Sequence, residues 1–352
     1  MNKSTRKILR TVKNSRGKMM IAEYRLLNEK EERNLSRKER EMYYQKLREY
    51  CRGRKLKVTT KGALSIAPKL KGVTGKIAKK VTLILAGGEY IQSVRGIDNI
   101  PKGPVIFAST HQGILDGFVW IPSCPQHAII VHGKETNKFL LMAQINTGLI
   151  LVTKKKDCIK EREWAKLDMM TVLLKGHSIY ICPETAWNLS PNKLHLPLNY
   201  GFIDVAKKTR VPICPVLLNY TYDNQSDKER ITHIDICYGK PIYVAEDDNL
   251  TDKLNEYSEV VATMRYEVME EKGIYKRNSI TNEEYIRFLK GNFKNLSIGH
   301  IDIQREREGI HGSQEEFYIF HHINDIFFDE NGSFLETEEV ERLREINALE
   351  GI

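Results

Sequence analysis

The sequence predicts an α/β fold, a mixed and mostly parallel sheet covered by helices, and three observations predict it. From about residue 90 to about 245, short runs rich in Val and Ile recur with little polar alternation, as strands buried on both faces require. Stretches with helical spacing lie between those runs. Gly, Pro and Asn punctuate the junctions, so strands and helices alternate along the chain, the pattern of a parallel sheet with crossover helices.

The expected strands are "GPVIFAS" (103–109), "HAIIVHG" (127–133), "GLILVT" (148–153), "HSIYICP" (177–183), "VPICPVLLNY" (211–220) and "HIDICYG" (233–239). The expected helices between them cover 135–146, 159–176 and 199–210. Ahead of this region, residues 19–50 predict one charged helix, rich in i to i+4 charge pairs and free of Pro and Gly. Residues 68–88 predict a second, with Leu70, Val73, Ile77, Val81 and Ile84 on one face and Lys69, Lys76, Lys79 and Lys80 around it. That pattern serves either a helix lying in a membrane surface, each nearby lysine gaining about 1 kcal/mol from anionic lipid, or a helix covering the core.

Charge supports reading the first 88 residues as a unit. Residues 1–80 hold 25 Lys and Arg against 7 Asp and Glu, an excess of +18, whereas the whole chain carries only +9. The basicity therefore belongs to one end. Clustered cations also suit nucleic acid, but no zinc-finger spacing, RNP-type strand or helix-turn-helix turn accompanies them, so a nucleic-acid partner is not expected. We expect a basic helical region over 1–88, an enzymatic domain over 89–270 and a polar, acidic C-terminal extension over 271–352.

At 352 residues and 41% apolar, the chain is long enough to bury a substantial core. Its longest apolar runs, "VTLILAGG" and "HAIIV", fall far short of the roughly 20 residues of a membrane span. The basic start leads into no apolar segment, so no secretory signal is expected. The 6 cysteines are scattered without a C-x-x-C pair, which argues against a metal site or a disulfide framework and for reduced thiols in the cytoplasm.

The chemistry concentrates at "STHQGILDG", where His111 follows an expected strand and Asp116 opens a short helical segment that Pro122 closes. With 10 His and 14 Asp in the chain, such a pair arises readily from composition, so the spacing alone decides nothing. On one continuous helix, residues five apart differ by about 140°. A turn at the strand end, with Gly113 between them, brings the two side chains together instead. An imidazole that titrates near pH 6.5 takes a proton from an attacking alcohol, worth roughly 10²- to 10⁴-fold, and a carboxylate on its other nitrogen fixes the tautomer. The alternative roles are a satisfied turn histidine and a helix-capping aspartate.

Four ordered blocks give those residues a context. "VRGIDNIPKGPVIFASTHQGILD" resembles the first block of the lysophospholipid and glycerol-phosphate acyltransferase family, a glycine and N-x-P turn, a strand, then H-x4-D, with Thr110 where Asn is usual. "TGLILVTKK" is similar to the second, with Gly148 opening the strand and Lys154 in the usual Arg position. "ICPETAWNLSPN" resembles the third through Pro183 and Glu184, with Thr185 in place of Gly and Trp187 in place of Arg. "VPICPV" is similar to the fourth, with Pro212 and Pro215 in place.

The resemblance implies a glycerol-3-phosphate acyltransferase-like fold and direct transfer of a fatty acyl group, without a covalent acyl-enzyme. The donor would be acyl-CoA or acyl carrier protein, with no cofactor, and the acceptor a hydroxyl of a lysophospholipid or glycerol-phosphate-like molecule. His111 would be the base and Asp116 its orienter. Lys154, Glu184, Trp187, Asn188 and Lys193 would face the acceptor, Lys154 as a point charge for phosphate and Glu184 as an acceptor of hydrogen bonds from a hydroxyl, a backbone amide or a cation. Trp187 in place of a cation departs from a simple glycerol-phosphate site. A thioester hydrolase and a non-catalytic lipid- or nucleic-acid-binding protein are the alternative readings. The expected location is the cytoplasmic face of an anionic membrane, without a transmembrane helix.

Overall fold

The computed structural model describes residues 9–13, 19–24, 26–113, 115–133, 148–153, 158–185, 188, 194–196, 198–223 and 230–272. Strands β1 (Leu9–Lys13) and β2 (Met19–Tyr24) pair antiparallel, apart from the main sheet. The single helix expected over 19–50 is therefore corrected to β2 followed by two helices, α1 (Glu29–Arg33) and α2 (Arg37–Gly53). Capping explains the division. Asn28 and Ser36 each accept the backbone N–H three residues on, and Glu31 and Glu39 accept the N–H of the cap in return. Ser36 thus starts a new helix where charge periodicity reads straight through.

Helix α3 (Val58–Leu85) begins well before Pro68, where the sequence placed its start. Pro68 is exposed and removes one backbone hydrogen bond, while Ala63, Leu64 and Ala67 carry the buried face through the preceding turns.

The remaining elements are β3 (Ile91–Arg95), a 3-10 turn (Ile97–Asn99), β4 (Ile106–Ser109), α4 (Asp116–Ser123), β5 (Ala128–Gly133), β6 (Leu149–Val152) and α5 (Ile159–Leu174). They continue with β7 (Ser178–Ile181), α6 (Gly201–Thr209), β8 (Ile213–Asp223), β9 (Arg230–Tyr238) and α7 (Leu250–Glu271). The seven-stranded sheet runs β3-β9-β8-β4-β7-β5-β6. Strands β8, β4, β7, β5 and β6 are parallel to one another, while β9 is antiparallel to β8 and parallel to the edge strand β3. The fold is thus the mixed, mostly parallel α/β sheet that the Val- and Ile-rich runs predict. All six expected strands are present as β4 to β9, and two of the expected helices as α5 and α6. The helix expected over 135–146 lies outside the described residues, as does the C-terminal extension from residue 273 on.

Both faces of the sheet are buried, which is why its strands show no polar alternation. Ile106, Ala108, Ile129, Ile179 and Ile213 point to one face, against Leu47 of α2, Met170 of α5, Val205 of α6 and Val261 of α7. Phe107, Ile130, Tyr180, Val216 and Leu218 point to the other, against Val119 and Trp120 of α4. Trp120 is the anchor there, its ring centroid 4.5 Å from Tyr180 and 5.2 Å from Phe107. Helix α3 lies over α4 on this side through small residues, and a Cβ added at Gly75 would sit 3.6 Å from the Cβ of Pro122.

Gly148 opens β6 with φ 86°, and a Cβ there would collide with Ile129 and lie 3.1 Å from the Cβ of Ala63. Close packing of α3 over β5, together with left-handed backbone, requires glycine at this position. Its strand is at the sheet edge, three strands from β4.

Packing runs across residue 88. Tyr43, Tyr44, Leu47 and Cys51 of α2 belong to the same buried cluster as β4 and α5. A buried ionic cluster reinforces this contact: Lys208 of α6 pairs with Glu32 of α1 at 2.6 Å and with Asp204, Lys166 bonds Asp204 at 2.8 Å, and Tyr44 donates to Glu32 at 2.7 Å. Burial pulls the Lys208 ammonium down, but Asp204 and Glu32 outweigh it and hold the group above its ordinary value. Burial likewise raises Asp204, and Lys208 and Lys166 override it to hold that carboxyl low. Arg48 pairs with Glu246 at 3.0 Å and Arg54 with Asp168, so part of the N-terminal positive charge is neutralised internally.

Candidate active site

In parallel α/β sheets, side chains that follow the carboxyl ends of the strands converge on a common edge. β4 lies between β7 and β8, and the segments after β4 and β7 meet there. At the end of β4, Thr110 closes the ladder: its hydroxyl donates to Leu218 O at 3.1 Å and accepts from Leu218 N at 2.9 Å. The next residue is His111.

His111 Nδ1 lies 2.7 Å from Asp116 Oδ2. Asp116 is the first residue of α4, so the pair spans a strand-to-helix turn, as the five-residue spacing requires. The same Oδ2 accepts from Gln112 N at 2.9 Å, and Oδ1 accepts from Gly113 N at 3.2 Å and from Tyr220 Oη at 2.5 Å. With His111 Nδ1–H, four donors converge on one carboxylate, which matches its lone-pair capacity. The arrangement places the proton of neutral His111 on Nδ1, leaving Nε2 as the basic nitrogen. Asp116 is buried and the His111 side chain is 23% exposed, so the carboxylate is shielded while the imidazole is reachable.

The segment after β7 clamps the backbone of His111. Glu184 accepts from His111 N at 3.0 Å through Oε1 and from Leu196 N at 3.0 Å through Oε2, and Asn188 N donates to His111 O at 2.6 Å. Of the three kinds of partner the sequence allowed for Glu184, backbone amides are the ones present. Burial pushes the Glu184 carboxyl up from 4.5 to about 7, against the lowering pull of the Leu196 N–H, Arg265 and the His111 N–H. Because the folded value exceeds the unfolded one, this group's contribution to stability is full below about pH 4.5 and is lost as pH rises through about 7. Urea denaturation between about pH 5 and about pH 8 is therefore expected to show the gap between wild type and E184Q narrowing as pH rises; a widening gap would contradict the assignment.

Thr185 adopts φ 57°, a left-handed conformation that a β-branched residue rarely takes, and its N–H donates to Cys182 O at 3.1 Å. The turn needs what glycine supplies freely, so Thr185 holds it under strain.

Helix α7 braces the same segment. Arg265 donates to Leu194 O at 3.0 Å, Ser258 Oγ is 2.7 Å from His195 Nε2, and Tyr257 donates to Ala108 O at 3.0 Å. These residues and Tyr220 went unrecognised in the sequence. Tyr220 shares the alternation of Val216 and Leu218 along β8, but that β8 lies beside β4 is a fact of tertiary pairing.

Residues 92–219 match the family described as Acyltransferase, a segment of the chain that holds most of the sheet. It contains both members of the His111–Asp116 pair together with Glu184, and ends one residue before Tyr220. Among solved structures, the crystal structure of the 1-acyl-sn-glycerophosphate acyltransferase PlsC from Thermotoga maritima is similar, at 17% identity over 56% of this chain and 79% of that one, with a TM-score of 0.44. No curated protein matches the chain by sequence.

Within the matched segment, the structure brings His111, Asp116, Glu184 and Asn188 together. Pro183 is buried at the start of the clamp. Pro212 O accepts from Ile106 N at 3.0 Å, and Pro215 pairs with Ala108, so both prolines support β4 beneath the site. Gly148 is away from it, at the sheet edge. Lys154, Trp187 and Lys193 lie outside the described residues. One residue joins the pair unannounced: Cys182 Sγ, a ring nitrogen of His111 and a carboxylate oxygen of Asp116 lie within 4.8 Å of one another.

Proposed function

We propose that the protein moves a fatty acyl group from acyl-CoA or acyl carrier protein to a hydroxyl of a lysophospholipid or glycerol-phosphate-like acceptor at a membrane surface. The His111–Asp116 pair carries this reading: a reachable imidazole held at 2.7 Å by a buried carboxylate with every acceptor site occupied. His111 Nε2 takes the acceptor proton as its oxygen attacks the thioester carbonyl. Asp116 steadies the imidazolium, and the departing thiolate receives the proton. The acyl carbon exchanges a C–S bond for a C–O bond, and no cofactor enters. The test is to incubate the purified protein with radiolabelled acyl-CoA and a total lipid extract. Label in one lipid class supports transfer and names the acceptor, whereas label recovered only as free fatty acid supports hydrolysis.

Helix α3 supports action at a membrane. Ile66, Leu70, Val73, Ile77 and Ile84 are 45–69% exposed, while Ala63, Leu64, Ala67, Ala78 and Thr82 are buried. Apart from Leu64, large apolar side chains thus face outward and small ones inward, the reverse of a helix whose apolar bulk covers a core. Lys69, Lys76, Lys79 and Lys80 are exposed along the same helix. Each apolar side chain gains about 1 kcal/mol or more on leaving water, and each lysine about 1 kcal/mol near anionic lipid. No described helix is long and apolar enough to cross a membrane. Because α3 rests on α4, whose first residue is Asp116, a docked α3 puts lipid on the side of the sheet that holds the catalytic pair. Replacing Leu70, Val73 and Ile77 with Asp is expected to abolish flotation with anionic liposomes; unchanged flotation would remove α3 from the account.

A further inference from the structure

Helix α7 lies outside the matched residues, yet it brings a buried cation to the site. Arg265 is 7% exposed and donates to Leu194 O at 3.0 Å. Two residues on, Leu196 N donates to one oxygen of Glu184, and His111 N donates to the other. A guanidinium withdrawn from water needs an anion nearby. Among the described residues the other buried carboxylates are already served: Glu32 and Asp204 by Lys208, Asp235 by Lys272, and Asp116 by four hydrogen-bond donors. Glu184 is buried too, and the amides that bond it bring no charge. It is the anion left for Arg265.

Both oxygens of Glu184 must accept if the side chain is to bridge His111 and Leu196. A protonated carboxyl turns its O–H toward one of the two amides, donor against donor, so one bond of the bridge is lost whichever oxygen holds the proton. Resting on the acyl-transfer reading above, we infer that Arg265 is a positioning residue for His111: its charge keeps Glu184 ionised, and ionised Glu184 ties the backbone of the base to the 194–196 segment.

No other group around Glu184 supplies that charge. Asp116 of α4 repels a second anion. Tyr257 of α7 is held neutral by burial, and Cys182, just after β7, offers no cation. Burial outweighs the Leu196 carbonyl and, together with Arg265, holds His195 below its ordinary 6.5, so that ring is uncharged at neutral pH. With Arg265 in place the Glu184 carboxyl stands at about 7, because burial outweighs the pull of the Leu196 N–H, Arg265 and the His111 N–H. Losing one cation therefore changes the charge of Glu184 in the physiological range. The bridge gains this positioning at a cost in stability, since ionised Glu184 is the form that burial disfavours.

R265Q keeps a donor for Leu194 O and removes the charge, whereas R265K keeps the charge. The full chain is assayed with palmitoyl-CoA and the lipid class that wild type labels, with circular dichroism to establish folding; R265M stands in should R265Q not fold. The acid limb of the pH–rate profile is expected to move up by about one pH unit in R265Q and to stay in place in R265K. R265Q is then about fivefold slower at pH 7 and close to wild type at pH 9. Added to E184Q, R265Q is expected to leave the limb where it is, because the group through which Arg265 acts no longer titrates. Urea denaturation tests the pairing without substrate: the gap between wild type and E184Q closes as pH rises through about 7, and with R265Q in both proteins the closing is expected to continue about one pH unit further. An acid limb unmoved by R265Q, or moved equally with and without E184Q, overturns the inference, as does an unchanged pH dependence in urea. Transfer surviving in H111A strikes the underlying reading instead, and the urea measurement then judges the pairing of Arg265 with Glu184 by itself.

Discussion

D116N is expected to lower the rate of acyl transfer by roughly 10⁴-fold, the scale of a carboxylate-to-amide change beside a catalytic histidine. Every acceptor site of Asp116 is in use: His111 Nδ1 and Gln112 N share one oxygen, Gly113 N and Tyr220 Oη the other. An amide accepts at only one of those positions and presents N–H groups at the other. If the amide nitrogen faces His111, the ring is driven to the tautomer with its proton on Nε2, and the base is lost. If it faces Gly113 and Tyr220, the turn that joins strand to helix loosens. Y220F separates the two effects, because it removes one donor to the far oxygen and leaves the histidine contact in place; its expected loss is far smaller, about tenfold. A D116N protein within about tenfold of wild type would mean that the carboxylate does not orient the base.

The largest effect on stability is expected at Lys208. Its side chain is 1% exposed and bridges Glu32 of α1 and Asp204 of α6. K208M keeps much of the volume but leaves two buried carboxylates without their shared cation, a change that costs about 3–5 kcal/mol. Lys166 continues to serve Asp204, and Tyr44 continues to serve Glu32, so the loss falls on the contact between helices. K166M, at a side chain 27% exposed, is expected to cost no more than about 1 kcal/mol. Urea denaturation of both variants measures the contrast, and equal costs would mean that burial does not govern this cluster. The wild-type pH dependence has a definite sign: Asp204 is held low in the folded state, so its stabilisation is present above its ordinary value of 3.8 and disappears on acidification through the folded value.

What the sequence revealed depended on range. His111 and Asp116 are five residues apart, and the strand, the glycine and the short helix that bring them together all lie in one stretch. The strands were visible because burial on both faces removes polar alternation, a property each segment carries by itself. The partners of Glu184 were not legible as specific residues, because one lies 73 positions earlier and depends on β4 and β7 being neighbours. Tyr220 is 104 positions from Asp116, and Arg265 is 71 from Leu194. Helix α7 itself carries Leu250, Leu254, Tyr257, Val261 and Val268 at helical spacing, a signal that can be read before the helix's place in the fold is known. β3, a short edge strand with few large apolar residues, offers no comparable signal. Cysteine spacing excluded a C-x-x-C metal site, yet it carried no information about Cys182, which meets His111 only through the pairing of β7 with β4.

The role of His111 as the base for acyl transfer is tested by acceptor-dependent release of CoA from acyl-CoA by wild type and H111A, using the lipid class labelled by the wild-type protein and circular dichroism to establish that both are folded. Rapid release by wild type is expected, with release by H111A lowered by about 10²- to 10⁴-fold. A folded H111A that releases CoA at the wild-type rate would contradict it.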